Sequence, residues 1–171
     1  MAGIEQAASQ TTMAHHISLK QGGILLALAL LVACSSSPEK PVANYPQPAH
    51  GNVVNYALSL QGTPYRYGKD SPAEGFDCSG FVRHVYQHHG VRLPRTSQAM
   101  ASALPPVALD EAHAGDLVFF DTNGKAYSHV GIYLENQQFI HAPSKRTGKV
   151  LVSRLNTPYW QKHYSGVRRP Q

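Results

Sequence analysis

The 171-residue chain is poor in cysteine and in acidic residues, and it has no internal repeat. Zinc-finger spacing, a P-loop and a dinucleotide-binding fingerprint are all absent, so the sequence gives little support to a nucleotide or nucleic-acid partner. Asp and Glu number 10 against 15 Lys and Arg, which gives a formal net charge of +5. This balance suits an anionic partner, such as an anionic polymer or membrane head groups. The pairs Lys145-Arg146 and Arg168-Arg169 are themselves predicted to be solvated surface.

Long apolar runs are also missing, since the longest covers only the ten residues from Ile24 to Ala33 and is too short to span a bilayer. Lys20 precedes this run and Cys34 follows it, which is the organisation of a signal peptide. Leu31-Val32-Ala33-Cys34 resembles the lipobox of bacterial lipoproteins. The resemblance implies that residues 1–33 are removed and that the Cys34 sulfur carries a diacylglycerol.

The residue after the predicted anchor indicates a location. Ser35 stands where an aspartate would indicate retention in the inner membrane, so the resemblance implies the periplasmic side of the outer membrane. Residues before Met13 exceed what such a signal needs, so both Met1 and Met13 are candidate start sites. The alternative explanation of Cys34 is an ordinary small apolar residue at the end of the signal helix.

Two segments follow the signal peptide. Residues 34–49 are rich in Ser and Pro and lack apolar periodicity, which predicts an extended, solvated tether. Residues 50–171 have the length of one small domain with one core.

Cys78 is the most informative residue of this domain. If Cys34 is lipidated, Cys78 has no disulfide partner in an oxidising compartment. Asp77-Cys78-Ser79-Gly80 reads as the first turn of a helix, where the helix dipole and unpaired N–H groups favour a thiolate nucleophile. His129 and His141 can supply the base and the orienting group that such a nucleophile needs. The alternative is a buried structural cysteine.

The pattern along the domain is helices first and strands later, which favours an α+β fold in which N-terminal helices pack on an antiparallel sheet of about five strands. Apolar spacing and turn residues predict helices over Asn52–Leu60, from Asp77 or Ser79 to Gly90, and from near Thr96. They predict strands over Leu117–Phe120, His129–Leu134, Gln138–Ala142, Val150–Leu155 and Gly166–Arg169.

His129 and His141 can act together only if they lie on the same face of the sheet. Side chains alternate between the two faces along a strand, so the pairing of the two strands must offset His129 and His141 by an even number of residues. We call this even parity of the hairpin register. A loop centred on Glu135 would place the two histidines directly opposite each other. We therefore predict a loop with an odd number of residues, or a bulge that restores parity, around Leu134 to Gln137.

Six motifs together resemble the NlpC family of bacterial cell-wall cysteine peptidases, and within it the outer-membrane lipoprotein endopeptidases of Gram-negative bacteria. The match runs from about Asn55 to Arg169 and extends to Pro158-Tyr159-Trp160. The resemblance implies a papain-like core and the absence of any metal or organic cofactor. The motifs are Gly62-Thr63-Pro64-Tyr65-Arg66-Tyr67-Gly68, Gly75-Phe76-Asp77-Cys78-Ser79-Gly80-Phe81-Val82, Leu93-Pro94-Arg95-Thr96-Ser97, Gly115-Asp116-Leu117-Val118-Phe119-Phe120, His129-Val130-Gly131-Ile132-Tyr133 and Phe139-Ile140-His141-Ala142.

The resemblance also implies roles by position. Cys78 would be the nucleophile, His129 the general base and His141 the residue that orients His129. Tyr65 would help to stabilise the oxyanion, or else be a core aromatic. The residues implied to bind substrate are Asp77, Ser79 and Arg95, and for Arg95 the alternative is a structural ion pair.

The implied substrate is the stem peptide of peptidoglycan, hydrolysed at an amide bond through a thioester. The γ-D-glutamyl to diaminopimelate bond within a stem and the D-alanyl to diaminopimelate bond between stems are both candidates. One alternative is a thiol amidase or acyltransferase that acts on another acyl group. Another is a wall-binding module that has the fold but no turnover. The chain departs from the family pattern at Lys69 after Gly68, at Ala114 before Gly115 and, relative to some members, at Gln98 after Ser97. Lys69 lies in the loop that leads to the nucleophile, so its region leaves the substrate preference open.

Overall fold

The computed structural model describes residues 50–171. The predicted signal peptide, the lipidation site Cys34 and the tether over residues 34–49 lie outside the described residues. No helix within residues 50–171 is both long enough and apolar enough to cross a membrane. The helices are α1 (His50–Ser59), α2 (Cys78–His88), α3 (Ser97–Ala103) and α4 (Pro158–His163).

The three helices predicted from the sequence are α1, α2 and α3, and their ends follow from local chemistry. Asp77 and Thr96 cap α2 and α3, because each side chain accepts a hydrogen bond from the backbone N–H three residues later. The short helix α4 was not predicted. It begins at Pro158, whose fixed φ suits the first turn of a helix.

The strands form a central six-stranded antiparallel sheet and a small two-stranded one, in agreement with the α+β class. The central sheet has the order β3-β8-β4-β5-β6-β7 and does not close into a barrel. Its five longer strands correspond to the five predicted ones, whereas the two-residue strand β3 was missed. The strands are β1 (Asp70–Ser71), β2 (Gly75–Phe76), β3 (Pro106–Val107), β4 (Leu117–Phe120), β5 (His129–Glu135), β6 (Gln138–His141), β7 (Leu151–Arg154) and β8 (Tyr164–Arg168).

Both faces of the central sheet are covered, which explains the unbroken apolar run of β4. One face packs against α1 and α2 and carries the larger core cluster, which includes Phe81, Val85, Phe119 and Ile132. The other face carries a smaller cluster of Val118, Phe120, Tyr133, Phe139, Leu155 and Val167, against which Trp160 of α4 packs. Complete burial of such a side chain contributes about 1.5–3 kcal/mol.

The β5–β6 hairpin has the bulge that the parity argument allowed. Tyr133 pairs with Phe139 but Glu135 pairs with Gln138, so β5 has one extra residue. The turn residues Asn136 and Gln137 both have positive φ, which is the backbone of a two-residue hairpin turn. His129 and His141 are therefore not directly opposite each other, as a loop centred on Glu135 would have placed them, because the bulge and the two-residue turn shift the register.

Gly131 lies beside His141 and sets how closely β5 and β6 approach there. A Cβ atom on Gly131 would lie 2.7 Å from the Phe139 ring and 3.1 Å from Cβ of His141. Only glycine leaves this space empty, so Gly131 allows the two histidine-bearing strands to pack at this point.

A buried ion pair ties the C-terminus to the start of β4. Arg169 donates to both carboxylate oxygens of Asp116, from Nε at 2.9 Å and from a terminal nitrogen at 2.7 Å. Asp116 is completely buried. The prediction of a solvated surface was wrong for Arg169, and Arg168 is half-buried, with its Nε donating to the Ala101 carbonyl at 2.9 Å.

Candidate active site

Cys78 is the first residue of α2 and lies in an open cleft of about 610 Å³. Asp77 fixes this position, because its Oδ1 accepts the Gly80 N–H at 2.7 Å and so starts the helix. Cys78 is half-buried, which leaves part of the residue accessible from the cleft. His129 lines the same cleft, so the structure brings together the predicted nucleophile and the predicted base.

The electrostatics of the thiol differ from the expectation of a thiolate. Burial, and then the charge of Asp77, raise the pKa of Cys78 to about 11. The N–H groups of Ser79, Val130 and Cys78 itself act in the opposite direction but do not prevail. The thiolate predicted from the helix dipole was therefore wrong, because desolvation and the Asp77 carboxylate raise the pKa of Cys78 more than the N–H groups at the start of the helix lower it. The resting group is a neutral thiol.

Three adjacent strands carry a chain of hydrogen bonds that begins at the cleft. Nε2 of His129 on β5 lies 2.7 Å from Nδ1 of His141 on β6. Nε2 of His141 lies 2.9 Å from Oγ of Ser153 on β7. We assign the protons so that each Nε2–H donates, which satisfies both bonds and leaves the Nδ1 lone pair of His129 available as a base. The two histidines lie on one face of the sheet, as the parity argument required.

Both imidazoles are held neutral by their surroundings. Burial lowers the pKa of His129 to about 4, and burial together with the nearby His129 lowers the pKa of His141 well below its usual value. Trp160 contributes to this burial, because its ring stacks on His129 at a centroid distance of 5.8 Å and meets His141 edge-on at 5.0 Å. At neutral pH the site therefore pairs a neutral thiol with a neutral base.

The sequence analysis missed Ser153 as a member of this chain. Ser153 pairs with Phe139 across the β6–β7 ladder, which places it on the same face as His141. The alternation of side chains along the predicted strand Val150–Leu155 was the available signal. A serine has no distinctive motif, however, and its partner depends on the register.

The three predicted substrate-binding residues form one network beside the nucleophile. Arg95 donates to Asp77 Oδ1 at 3.1 Å, to Asp77 Oδ2 at 2.7 Å and to Ser79 Oγ at 3.0 Å. Asp77 Oδ2 also accepts the Gly68 N–H at 2.9 Å. Arg95 therefore makes the ion pair that was its alternative role, and all three residues also line the cleft.

Tyr65 lines the same cleft as the nucleophile. Its N–H donates to the Gly148 carbonyl at 2.7 Å, which fixes the backbone, and its side chain lines the cleft. Burial first, and then the charges of Cys78 and Asp77, raise the pKa of Tyr65. Its hydroxyl therefore keeps its proton and can donate it in a hydrogen bond. Within residues 50–171, no three His, Cys, Asp or Glu side chains are arranged as metal ligands.

Comparison with known proteins identifies the family of this chain. The model of the NlpC/P60 family matches residues 62–169. The chain belongs to the NlpC/P60 family. The chain is also 42% identical over 122 residues to the murein DD-endopeptidase MepH of Escherichia coli, and 39% identical over 152 residues to the probable endopeptidase NlpC of the same species. These relatives confirm the predicted family and the peptidase class.

The extent of the match differs between the relatives. The alignment covers 68% of this chain and 44% of MepH, but 85% of this chain and 97% of NlpC. The chain thus spans less than half the length of MepH. A crystal structure of an NlpC/P60 family protein from Bacillus cereus superposes with a TM-score of 0.68 and 33% identity over 73% of this chain and 41% of that chain. The α+β fold is thereby confirmed as that of this family.

Proposed function

We propose that this chain is a lipid-anchored peptidoglycan endopeptidase that hydrolyses an amide bond of the stem peptides through a thioester on Cys78. The observation that carries this proposal is that Cys78, at the start of α2, shares one cleft with His129, which is hydrogen-bonded in series to His141 and Ser153. The names of MepH and NlpC support the same class of reaction.

The first half of the reaction transfers the acyl group to sulfur. Nδ1 of His129 accepts the thiol proton of Cys78 while Sγ attacks the amide carbonyl carbon. The imidazolium that forms donates through Nε2 to His141, which stabilises the charge. When the C–N bond breaks, the proton on Nδ1 passes to the leaving amine, and the acyl group remains on sulfur as a thioester.

The second half regenerates the thiol. A water molecule gives a proton to Nδ1 of His129 and attacks the thioester carbonyl. The C–S bond then breaks, the sulfur recovers the proton, and the second product is a carboxylic acid. Each tetrahedral intermediate carries an oxyanion, to which Tyr65 Oη and the Cys78 N–H can donate. One well-placed donor of this kind lowers the barrier by roughly 3 kcal/mol.

The bond cleaved can be named by an experiment on two defined muropeptides. One is an uncross-linked stem that contains the γ-D-glutamyl to diaminopimelate bond, and the other is a dimer joined by a D-alanyl to diaminopimelate bond. Mass spectrometry of the products identifies the bond that is hydrolysed. If neither is cleaved and the chain binds isolated cell wall without releasing fragments, the endopeptidase proposal is wrong and the wall-binding module is right. Hydrolysis of another acyl substrate instead would favour the amidase or acyltransferase.

The location on the periplasmic side of the outer membrane is part of the same proposal. The lipobox-like residues before Cys34 support a lipid anchor. A tether of some fifteen extended residues would then limit the reach of the domain to about 50 Å from the membrane. Labelling of cells with radioactive palmitate tests the anchor, since label should enter the wild-type chain and be lost in Cys34→Ala. Label retained by the variant would contradict the proposal.

A further inference from the structure

A second pocket opens beside the catalytic cleft and is lined by two tyrosines and two cations. It has a volume of about 500 Å³ and is bounded by Tyr65, Arg66, Tyr67 and Lys145. Tyr65 and Tyr67 line both this pocket and the cleft that holds Cys78, so the two spaces adjoin. Tyr67 is 88% exposed, which is unusual for an aromatic residue. Part of a substrate bound in the cleft can therefore extend into this pocket.

Hydrogen bonds and close packing fix the backbone that carries Arg66. The Arg66 N–H donates to the Phe76 carbonyl at 2.8 Å. Gly75 makes room for the side chain, because a Cβ on that glycine would lie 2.7 Å from Cγ of Arg66. The aliphatic part of Arg66 therefore rests on the backbone of Gly75, and the guanidinium extends beyond it.

Lys145 lies in a turn that is joined to the segment carrying Tyr65 and Arg66. The Gly148 N–H donates to the Ser144 carbonyl at 2.9 Å and closes this turn. The Gly148 carbonyl in turn accepts the Tyr65 N–H at 2.7 Å. Pro64 and Lys149 form a bridge next to this bond. The two cations thus belong to loops that are held together by backbone hydrogen bonds.

Neither cation is neutralised within the part of the chain that the structure describes. The four ion pairs there use Lys69, Arg83, Arg95 and Arg169. Arg66 makes only a 3.4 Å contact with the carbonyl of Tyr65. In the cleft, by contrast, the carboxylate of Asp77 neutralises Arg95. The pocket lined by Arg66 and Lys145 therefore has uncompensated positive charge.

We infer that Arg66 and Lys145 form a carboxylate-binding subsite that selects anionic stem peptides. This inference rests on the proposed function. A γ-linked D-glutamate keeps its α-carboxylate, and diaminopimelate keeps the carboxylate of the amino-acid centre in its side chain, so either can supply the ligand. The pocket is lined by a guanidinium fork and an ammonium group, which match a carboxylate in charge and in hydrogen bonding.

The test compares two charge-deleted variants of the full chain, purified in detergent, on matched peptides. The variant Arg66→Gln/Lys145→Gln removes the subsite, and Arg92→Gln/Lys162→Gln removes the same charge at exposed residues outside the cleft and the pocket. The substrates are one stem peptide with free carboxylates and two analogues, in which either the D-glutamate α-carboxyl or the free diaminopimelate carboxyl is a carboxamide.

For the free-carboxylate peptide we expect the subsite variant to raise KM about tenfold, which corresponds to the loss of two exposed charge contacts, while kcat changes little. The control variant should match wild type. One of the two carboxamide analogues should give wild type the same high KM that the subsite variant has for the free-carboxylate peptide. The carboxyl group that is blocked in that analogue is the one that the subsite binds. Added salt should weaken the difference between the variants.

The subsite is refuted if the subsite variant and wild type have the same ratios of KM among the three peptides. If wild type cleaves none of them, the proposed function is wrong, and the subsite is then tested by calorimetric binding of the same peptides to the full chain. Equal affinity for the carboxylate and carboxamide peptides would overturn it, whereas an affinity for the carboxylate about tenfold higher, lost in the subsite variant, would support it.

Discussion

Acid should destabilise this fold by protonating its buried histidines. His129 is 3% exposed and its pKa is lowered to about 4, whereas an unfolded chain protonates histidine near 6.5. Between these values the unfolded state binds more protons than the folded state. The stability contributed by a neutral His129 is therefore fully present above about pH 6.5 and is lost as the pH falls toward 4.

The size of the effect follows from these two values. A change from pH 7.5 to pH 5 covers about 1.5 units of the window, so His129 alone should lower the free energy of unfolding by about 2 kcal/mol. His141 is completely buried and its pKa is lowered as well, so it adds to the loss.

Urea denaturation followed by circular dichroism at the two pH values measures this loss. His129→Gln should reduce the pH dependence by about 2 kcal/mol, because glutamine does not titrate. His88→Gln replaces an exposed histidine and serves as the control for the loss of a histidine outside the core. A loss of less than about 0.5 kcal/mol in wild type between the two pH values, or equal pH dependence of the two variants, would contradict this prediction.

Three further predictions concern single groups. Asp116→Asn should lower the free energy of unfolding by about 3 kcal/mol, because it leaves Arg169 without its buried partner. The control Asp110→Asn, at an exposed residue, should lower it by less than about 0.5 kcal/mol. Equal losses for the two variants in urea denaturation would contradict this prediction. Because the pKa of Cys78 is raised to about 11, absorbance at 240 nm should show no thiolate between pH 6 and 9 when wild type is compared with Cys78→Ser; a step in that range would show a low thiol pKa. Ser153→Ala should lower kcat about tenfold and leave KM unchanged, because His141 loses its hydrogen-bond partner, and unchanged kcat would assign Ser153 no part in positioning.

The local elements of the fold were predictable because their signals are local. Asp77 followed by an apolar pattern predicted the start of α2, and Thr96 predicted α3 in the same way. The strand β3 has only two residues, Pro106 and Val107, and is defined by its pairing with β8 rather than by its own sequence. A strand of that kind cannot be predicted from apolar periodicity.

The residues that meet in the candidate site were predictable from the sequence, whereas the protonation states of the thiol and the imidazoles were less so. Cys78, His129 and His141 were identified from motifs, and the bulge at the β5–β6 turn brings the two histidines onto one face. The neutrality of the thiol was not predictable, because it depends mainly on how deeply the folded chain buries Cys78, which only the tertiary structure fixes. The position of Trp160 against both imidazoles likewise depends on α4, which the apolar pattern did not indicate.

Hydrolysis of peptidoglycan amide bonds by Cys78 is tested by the rate at which wild type and Cys78→Ala release soluble fragments from isolated cell wall. We expect steady release by wild type and a loss of at least about a thousandfold in the variant, as removal of a nucleophile causes in other enzymes. Release by Cys78→Ala at a rate close to that of wild type would contradict it.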